Sequence, residues 1–212
     1  MRKRLAAVLV VAVLSVPALA LAQFGLIQQG VDAVAGAKKS AAPAQAPGAA
    51  GGPGAAAGTL ARDTTYKNAA RNFEFTVPAG WKLENGDPGS ESVLFMKPGT
   101  SWSFQFHIEQ MAPSFPRKAS VEASLKQAKE MVTIKKYQDA RRRDDGDAKG
   151  KCGVIGWEIT EAPQKNDYER IIWQAYDGQN FYMNFMAASE NKDFEAARAT
   201  LRQIMDSIRF CR

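Results

Sequence analysis

Ile171-Ile172-Trp173-Gln174-Ala175-Tyr176 and Phe181-Tyr182-Met183-Asn184-Phe185-Met186-Ala187 stand on either side of Asp177-Gly178-Gln179-Asn180. That arrangement decides the fold class. Two aliphatic and aromatic runs around an Asp-Gly pair are a hairpin signal, because the turn needs residues that accept positive φ. Neither run alternates cleanly, and strands that are apolar on nearly every residue belong to a sheet covered on both faces. Downstream, Phe194, Ala197, Leu201, Ile204, Met205 and Ile208 recur at helical spacing and make one apolar stripe. The stretch 167–210 therefore reads as two long strands and a closing helix.

Working outward, Cys152 to Glu161 reads as a further strand, with Ile155, Trp157 and Ile159 alternating with smaller or polar neighbours, and Tyr137 to Arg143 as another. Before them, Val121, Leu125, Ala128 and Val132 give the apolar face of a helix, with Lys126, Lys129 and Glu130 on its wet side. Ser120 is its expected N-cap and Glu122 lies in its first turn. Earlier still, Phe73-Glu74-Phe75-Thr76-Val77 alternates as a strand until Pro78-Ala79-Gly80. Trp81-Lys82-Leu83 resumes it, Val93 to Met96 follows, and Trp102, Phe104, Phe106 and Ile108 point one way while Ser103, Gln105 and His107 point the other. Four short strands punctuated by Pro and Gly imply an antiparallel meander. Strands, helix, strands, helix is an α+β order without a βαβ repeat.

The strand-turn-strand Phe73-Glu74-Phe75-Thr76-Val77-Pro78-Ala79-Gly80-Trp81-Lys82 resembles the opening of the PsbP-like fold. That fold is shared by photosystem II extrinsic subunits and by exported bacterial proteins of the DcrB type. Leu201 to Phe210 is similar to the family's terminal helix and short exit, so the resemblance spans about Thr64 to Phe210. It implies an antiparallel sheet flanked by helices on both faces, an α/β/α sandwich. It also implies a binding or assembly role without catalysis. The long Ala/Pro/Gly stretch and the absence of a lipid-attachment cysteine are departures from the family.

Residues 1–22 read as a signal peptide: Arg2-Lys3-Arg4, an apolar run from Leu5 to Val16, and Ala20-Leu21-Ala22 as a small-x-small cleavage site. The apolar run is too short for a comfortable bilayer span. The mature chain is expected to start at Gln23 and to be periplasmic or secreted, with no transmembrane segment. Loss of the leader's three basic residues takes the formal charge from +6 to +3. That balance is too weak to argue for nucleic acid. Ile27, Val31 and Val34 give a weak amphipathic pattern, and Ala41 to Gly58 is Ala, Pro and Gly apart from Gln45. Such a composition cannot offset the entropy of ordering and is expected to be a disordered tether. The expected division is leader 1–22, tail and tether 23–63, globular domain 64–212.

Cys152 and Cys211 are the two cysteines of a chain bound for an oxidising compartment, and a structural bridge between them is the economical reading. Closing a loop of about 60 residues would contribute at most about 4 kcal/mol by chain entropy. A redox or metal pair would want a C-x-x-C motif or a neighbouring histidine, and neither is present.

Little else carries chemistry. His107 is the single histidine and sits on the polar side of its strand, without acidic or thiol partners that sequence can place beside it. Arg141-Arg142-Arg143-Asp144-Asp145-Gly146-Asp147 is nearly self-neutralising and fails as a calcium loop, because Ile155 stands at the twelfth position. It reads as a solvated hairpin end. Gly150, Gly153 and Gly156 lack nucleotide-loop spacing, and Ser90, Ser92 and Ser101 lack a G-x-S-x-G context. Trp81, Trp102, Trp157 and Trp173 fall on inward-reading positions. No catalytic, cofactor-binding or metal-ligating residue is assigned, and no cofactor is expected. The expected function is an exported, non-enzymatic accessory, assembly or adaptor protein that binds another envelope macromolecule. The alternative is a small-molecule binder using a cleft between sheet and helix.

Overall fold

A computed structural model describes residues 58–146, 152–163 and 168–211, and among them are ten strands and two helices; the strands at 64–68 and 209–210 are not among those read from the sequence. The leader, the mature start at Gln23, the weak amphipathic pattern and the tether up to residue 57 lie outside the described residues, as do Asp147 and Gly150. The elements are β1 (Thr64–Asn68), β2 (Phe73–Val77), β3 (Lys82–Gly86), β4 (Ser92–Met96), β5 (Ser103–Gln110) and α1 (Arg117–Thr133). They continue with β6 (Tyr137–Arg142), β7 (Val154–Glu161), β8 (Tyr168–Asp177), β9 (Phe181–Glu190), α2 (Asn191–Ser207) and β10 (Arg209–Phe210). The class is α+β, as expected. Ahead of β1, Leu60 is already held, its N–H donating to Trp81 O at 2.7 Å and its carbonyl accepting from Gly80 N at 2.8 Å.

There are two antiparallel sheets where a single one was expected. Seven strands run in the order β3-β4-β5-β9-β8-β7-β6, and β1-β2-β10 form a separate sheet of three. The expected four-strand meander is thus a three-strand one, β3-β4-β5, with β2 assigned elsewhere. The reason is the turn at Pro78-Ala79-Gly80, which separates β2 from β3 so completely that β2 pairs with β1 before it and with β10 at the far end of the chain. Alternation in Phe73, Phe75 and Val77 predicts a half-buried strand; it does not say which sheet receives it.

The pleat of β8 distributes the core. Ile171, Trp173 and Ala175 join a cluster with Phe104, Phe106, Ile108, Met183 and Phe185, covered by α2 and by Phe73, Phe75 and Val77 of the small sheet. Ile172 and Tyr176 join Trp157 and Ile159 under Val121 and Ala128 of α1. Because successive strand residues face opposite ways, α1 and α2 lie on opposite sides of β7 and β8. In the larger cluster Trp173 stacks on Phe185 at 5.2 Å, and Phe73 meets Phe106 and Phe185 edge-on at 5.4 and 5.3 Å. Three tryptophans are core residues as read. Trp102 is half-covered instead, with Lys97 Nζ 4.2 Å above its ring.

Two local expectations are corrected. The positive φ in the β8–β9 turn is carried by Asn180 (φ 64°), not by Gly178. Asp177 Oδ1 accepts hydrogen bonds from Gln179 N (2.7 Å) and Phe181 N (2.9 Å), and a three-residue loop of this kind needs a left-handed residue only at its last position. Helix α1 begins at Arg117, behind Pro116, so Ser120 is inside its first turn and not its cap; its hydroxyl lies 3.3 Å from Tyr176 Oη.

Candidate functional site

Face coverage separates the seven-stranded sheet into two unequal parts. On the α2 side, Phe95, Phe104, Phe106, Met183 and Phe185 are fully buried across β4, β5 and β9. On the other side α1 packs against β6 and β7. The alternate residues of the remaining strands are left half-exposed: Leu94 and Met96 on β4, Ser103 and Gln105 on β5, and Asn184 and Met186 on β9, with His107 and Glu109 exposed. This open half-face is the candidate site.

Strand register brings four of its polar side chains into one line. Ser92 is opposite His107, His107 opposite Asn184, and Asn184 opposite Gln174. With adjacent strands about 4.8 Å apart, the row runs across the sheet from the open side towards α1. At the covered end Gln174 is only 7% exposed. Asn184 Oδ1 is buried without a partner, and among the described residues none of Gln105, His107, Asn184 or Gln174 has a side-chain hydrogen bond. Beside the row, Tyr182 packs against Tyr176 at 5.3 Å, and burial pushes its hydroxyl pKa far up, with Tyr176 and Glu109 adding to the rise.

His107 therefore occupies the polar position the sequence implies. Among the described residues there is no group of three or more His, Cys, Asp or Glu side chains that could hold a metal ion. Across the strands His107 faces the Ser92 hydroxyl and the Asn184 amide, and Glu109 follows it on the same face of β5. Such a row can donate to and accept from a neutral ligand.

Cys152 and Cys211 are bonded to each other, with Cα atoms 5.5 Å apart, and so tie the loop before β7 to the residue after β10. The same corner holds the largest departure from the sequence reading. Arg141 and Arg142 are exposed, as a solvated hairpin end would have them, but Arg143 is not. Glu158 of β7 is 1% exposed and takes ion pairs from Arg141 (2.8 Å), Arg143 and Arg202. Arg143 also stacks over Trp173 at 3.9 Å and donates to Met205 O at 2.7 Å, while Trp173 Nε1 donates to Arg143 O at 3.1 Å. Arg202 reaches Thr160 Oγ1 at 2.8 Å. Gly156 lets β8 and this stack approach, since a Cβ there would lie 2.3 Å from Gln174 O and 2.9 Å from Trp173 Nε1. Burial alone would push the Glu158 carboxyl up; Arg143 and Arg202 reverse that and hold it below the ordinary glutamate value. Sequence periodicity gave no signal here, because Glu158 alternates with Trp157 and Ile159 and reads as the polar side of its strand. Arg142 pairs instead with Asp144 at 2.6 Å, so the arginines divide between faces.

No known family profile matches the chain, and no curated protein matches it. Among solved structures it is similar to cyanobacterial PsbP (CyanoP) from Synechocystis sp. PCC 6803, at 14% identity over 77% of this chain and 98% of that one, with a TM-score of 0.47. It is also similar to LpqN, a protein involved in cell envelope biogenesis of Mycobacterium tuberculosis, at 12% identity over 71% and 91% of the two chains, with a TM-score of 0.42. The structures it is similar to thus include PsbP itself. Neither likeness assigns a partner or a reaction to this chain.

Proposed function

We propose that this is an exported, non-enzymatic accessory protein that binds an envelope polypeptide through the open half-face of its large sheet. The carrying observation is the contrast in coverage: three strands buried on one side leave Leu94, Met96, Gln105 and Asn184 half-exposed on the other, while Met186 packs at the edge of the α1 cluster. Burying a part-apolar sheet surface of this kind is favourable in proportion to the apolar area removed from water. The leader, the mature start at Gln23 and a tail and tether ending before Leu60, which is already held on the domain, are part of the same proposal and rest on sequence. Among the described residues no helix is long and apolar enough to cross a membrane.

The test is site-specific photocrosslinking in cells, with the photoreactive residue placed at Leu94 or Gln105 of the full chain and, as control, at the exposed Glu195 on α2. A discrete polypeptide adduct from the two sheet positions and none from Glu195 supports the reading. Equal labelling from all three, or none from the sheet, removes it.

A further inference from the structure

The amide row has a property that coverage alone does not explain. A buried polar group without a partner costs on the order of 1–3 kcal/mol, so folded proteins rarely leave one. Here Asn184 Oδ1 is such a group among the described residues, and Gln174, in register with Asn184 and 7% exposed, makes no side-chain hydrogen bond among them. Among the described residues no hydrogen bond holds the Asn184 amide in one orientation. A half-turn about its last torsion exchanges Oδ1 with Nδ2 at little cost, because that torsion is broad and two-fold. The turn directs Nδ2 inward and the acceptor to the half-exposed side, where Gln105 and His107 stand.

The chemistry that satisfies such a row is neutral. No lysine, arginine or carboxylate lies in the line Ser92–His107–Asn184–Gln174, so a charged group would be desolvated there without an opposite charge. A carboxamide offers an acceptor and a donor in one plane, and the group that matches both at once is another amide. Leu94, Met96 and Met186 supply apolar surface on either side. We infer that Asn184, with Gln105 and His107 around it and Gln174 behind, recognises a peptide group in an uncharged segment of a partner polypeptide. This rests on the polypeptide-binding reading above and names what that surface reads.

The probe is a capped alanine tripeptide, acetyl-Ala-Ala-Ala-methylamide, titrated into the isotope-labelled mature chain, with methyl β-glucoside as a hydroxyl-bearing control. Saturable shifts in the side-chain amide signals of Asn184, Gln105 and Gln174 and in the His107 imidazole are expected from the tripeptide alone. Asn184→Val, a residue suited to a strand, is expected to weaken that binding about tenfold, the worth of about one hydrogen bond, while the backbone amide spectrum stays that of a folded protein. Three results overturn the inference: no saturable shift, equal affinity in the folded Asn184→Val protein, or saturation by the glucoside and not the tripeptide. The last would indicate a small hydroxylated ligand. Crosslinks from Leu94 that persist in Asn184→Val, with no tripeptide binding in either protein, would leave the polypeptide-binding reading standing and remove this one.

Discussion

Phe106 and Gln105 are neighbours on β5, and they face different worlds. Phe106 is 2% exposed and sits among Phe73, Phe75 and Phe185, all within 6.0 Å between ring centroids. Gln105, one residue away and pointing oppositely, has no element above it and no side-chain partner among the described residues. The two faces of the same strands are thus specialised: one is where folding free energy is gained, the other is left available. Stability and recognition are separated by a single residue step, which is what a period of two makes possible.

The largest effect should come from the buried face. Phe106→Ala is expected to cost about 3–5 kcal/mol in urea unfolding, since it removes a ring from a cluster with no room to relax. Glu158→Gln tests the buried charge cluster and should cost a comparable or slightly smaller amount, up to about 3–5 kcal/mol, by leaving Arg143 uncompensated. Its pH dependence sharpens the test. The folded carboxyl titrates below its unfolded value, so its contribution is complete above the ordinary glutamate value of 4.5 and is lost as pH falls through the depressed folded value. Glu158→Gln should flatten that acid limb of the stability curve, and an unchanged limb would refute the assignment.

Smaller still, replacing both Cys152 and Cys211 by Ser should lower stability by about 2–4 kcal/mol in calorimetry. The smallest effects belong to the open half-face. Gln105→Ala and His107→Ala should each shift unfolding by no more than about 0.5 kcal/mol. A large loss at either position would mean that the face is engaged within the fold and would erase the contrast with Phe106.

Some of this was legible residue by residue. Phe194, Ala197, Leu201, Ile204, Met205 and Ile208 are all fully buried, because a stripe at helical spacing has one way to be covered. The α1 face, the strand alternation on β5 and the exposed placement of His107 followed from the same local periodicities. Short-range chemistry was harder. Ser120 looked like a cap, yet Pro116 and Arg117 start the helix a turn earlier. Asp-Gly looked like the source of positive φ, yet Asn180 supplies it.

What the sequence by itself determined is both helices, eight of the ten described strands and the apolar face of most of them, since these depend on contacts a few residues apart; β1 and β10 were not among them. What only the tertiary structure decided is who meets whom. It decided that β2 leaves the meander to pair with β10, that Arg143 and Arg202 converge on Glu158 from β6's exit and α2, and that His107, Asn184 and Gln174 share one row. Those pairings join residues far apart in the chain. Their register is set by the sum of packing over both sheets, which no local stretch encodes.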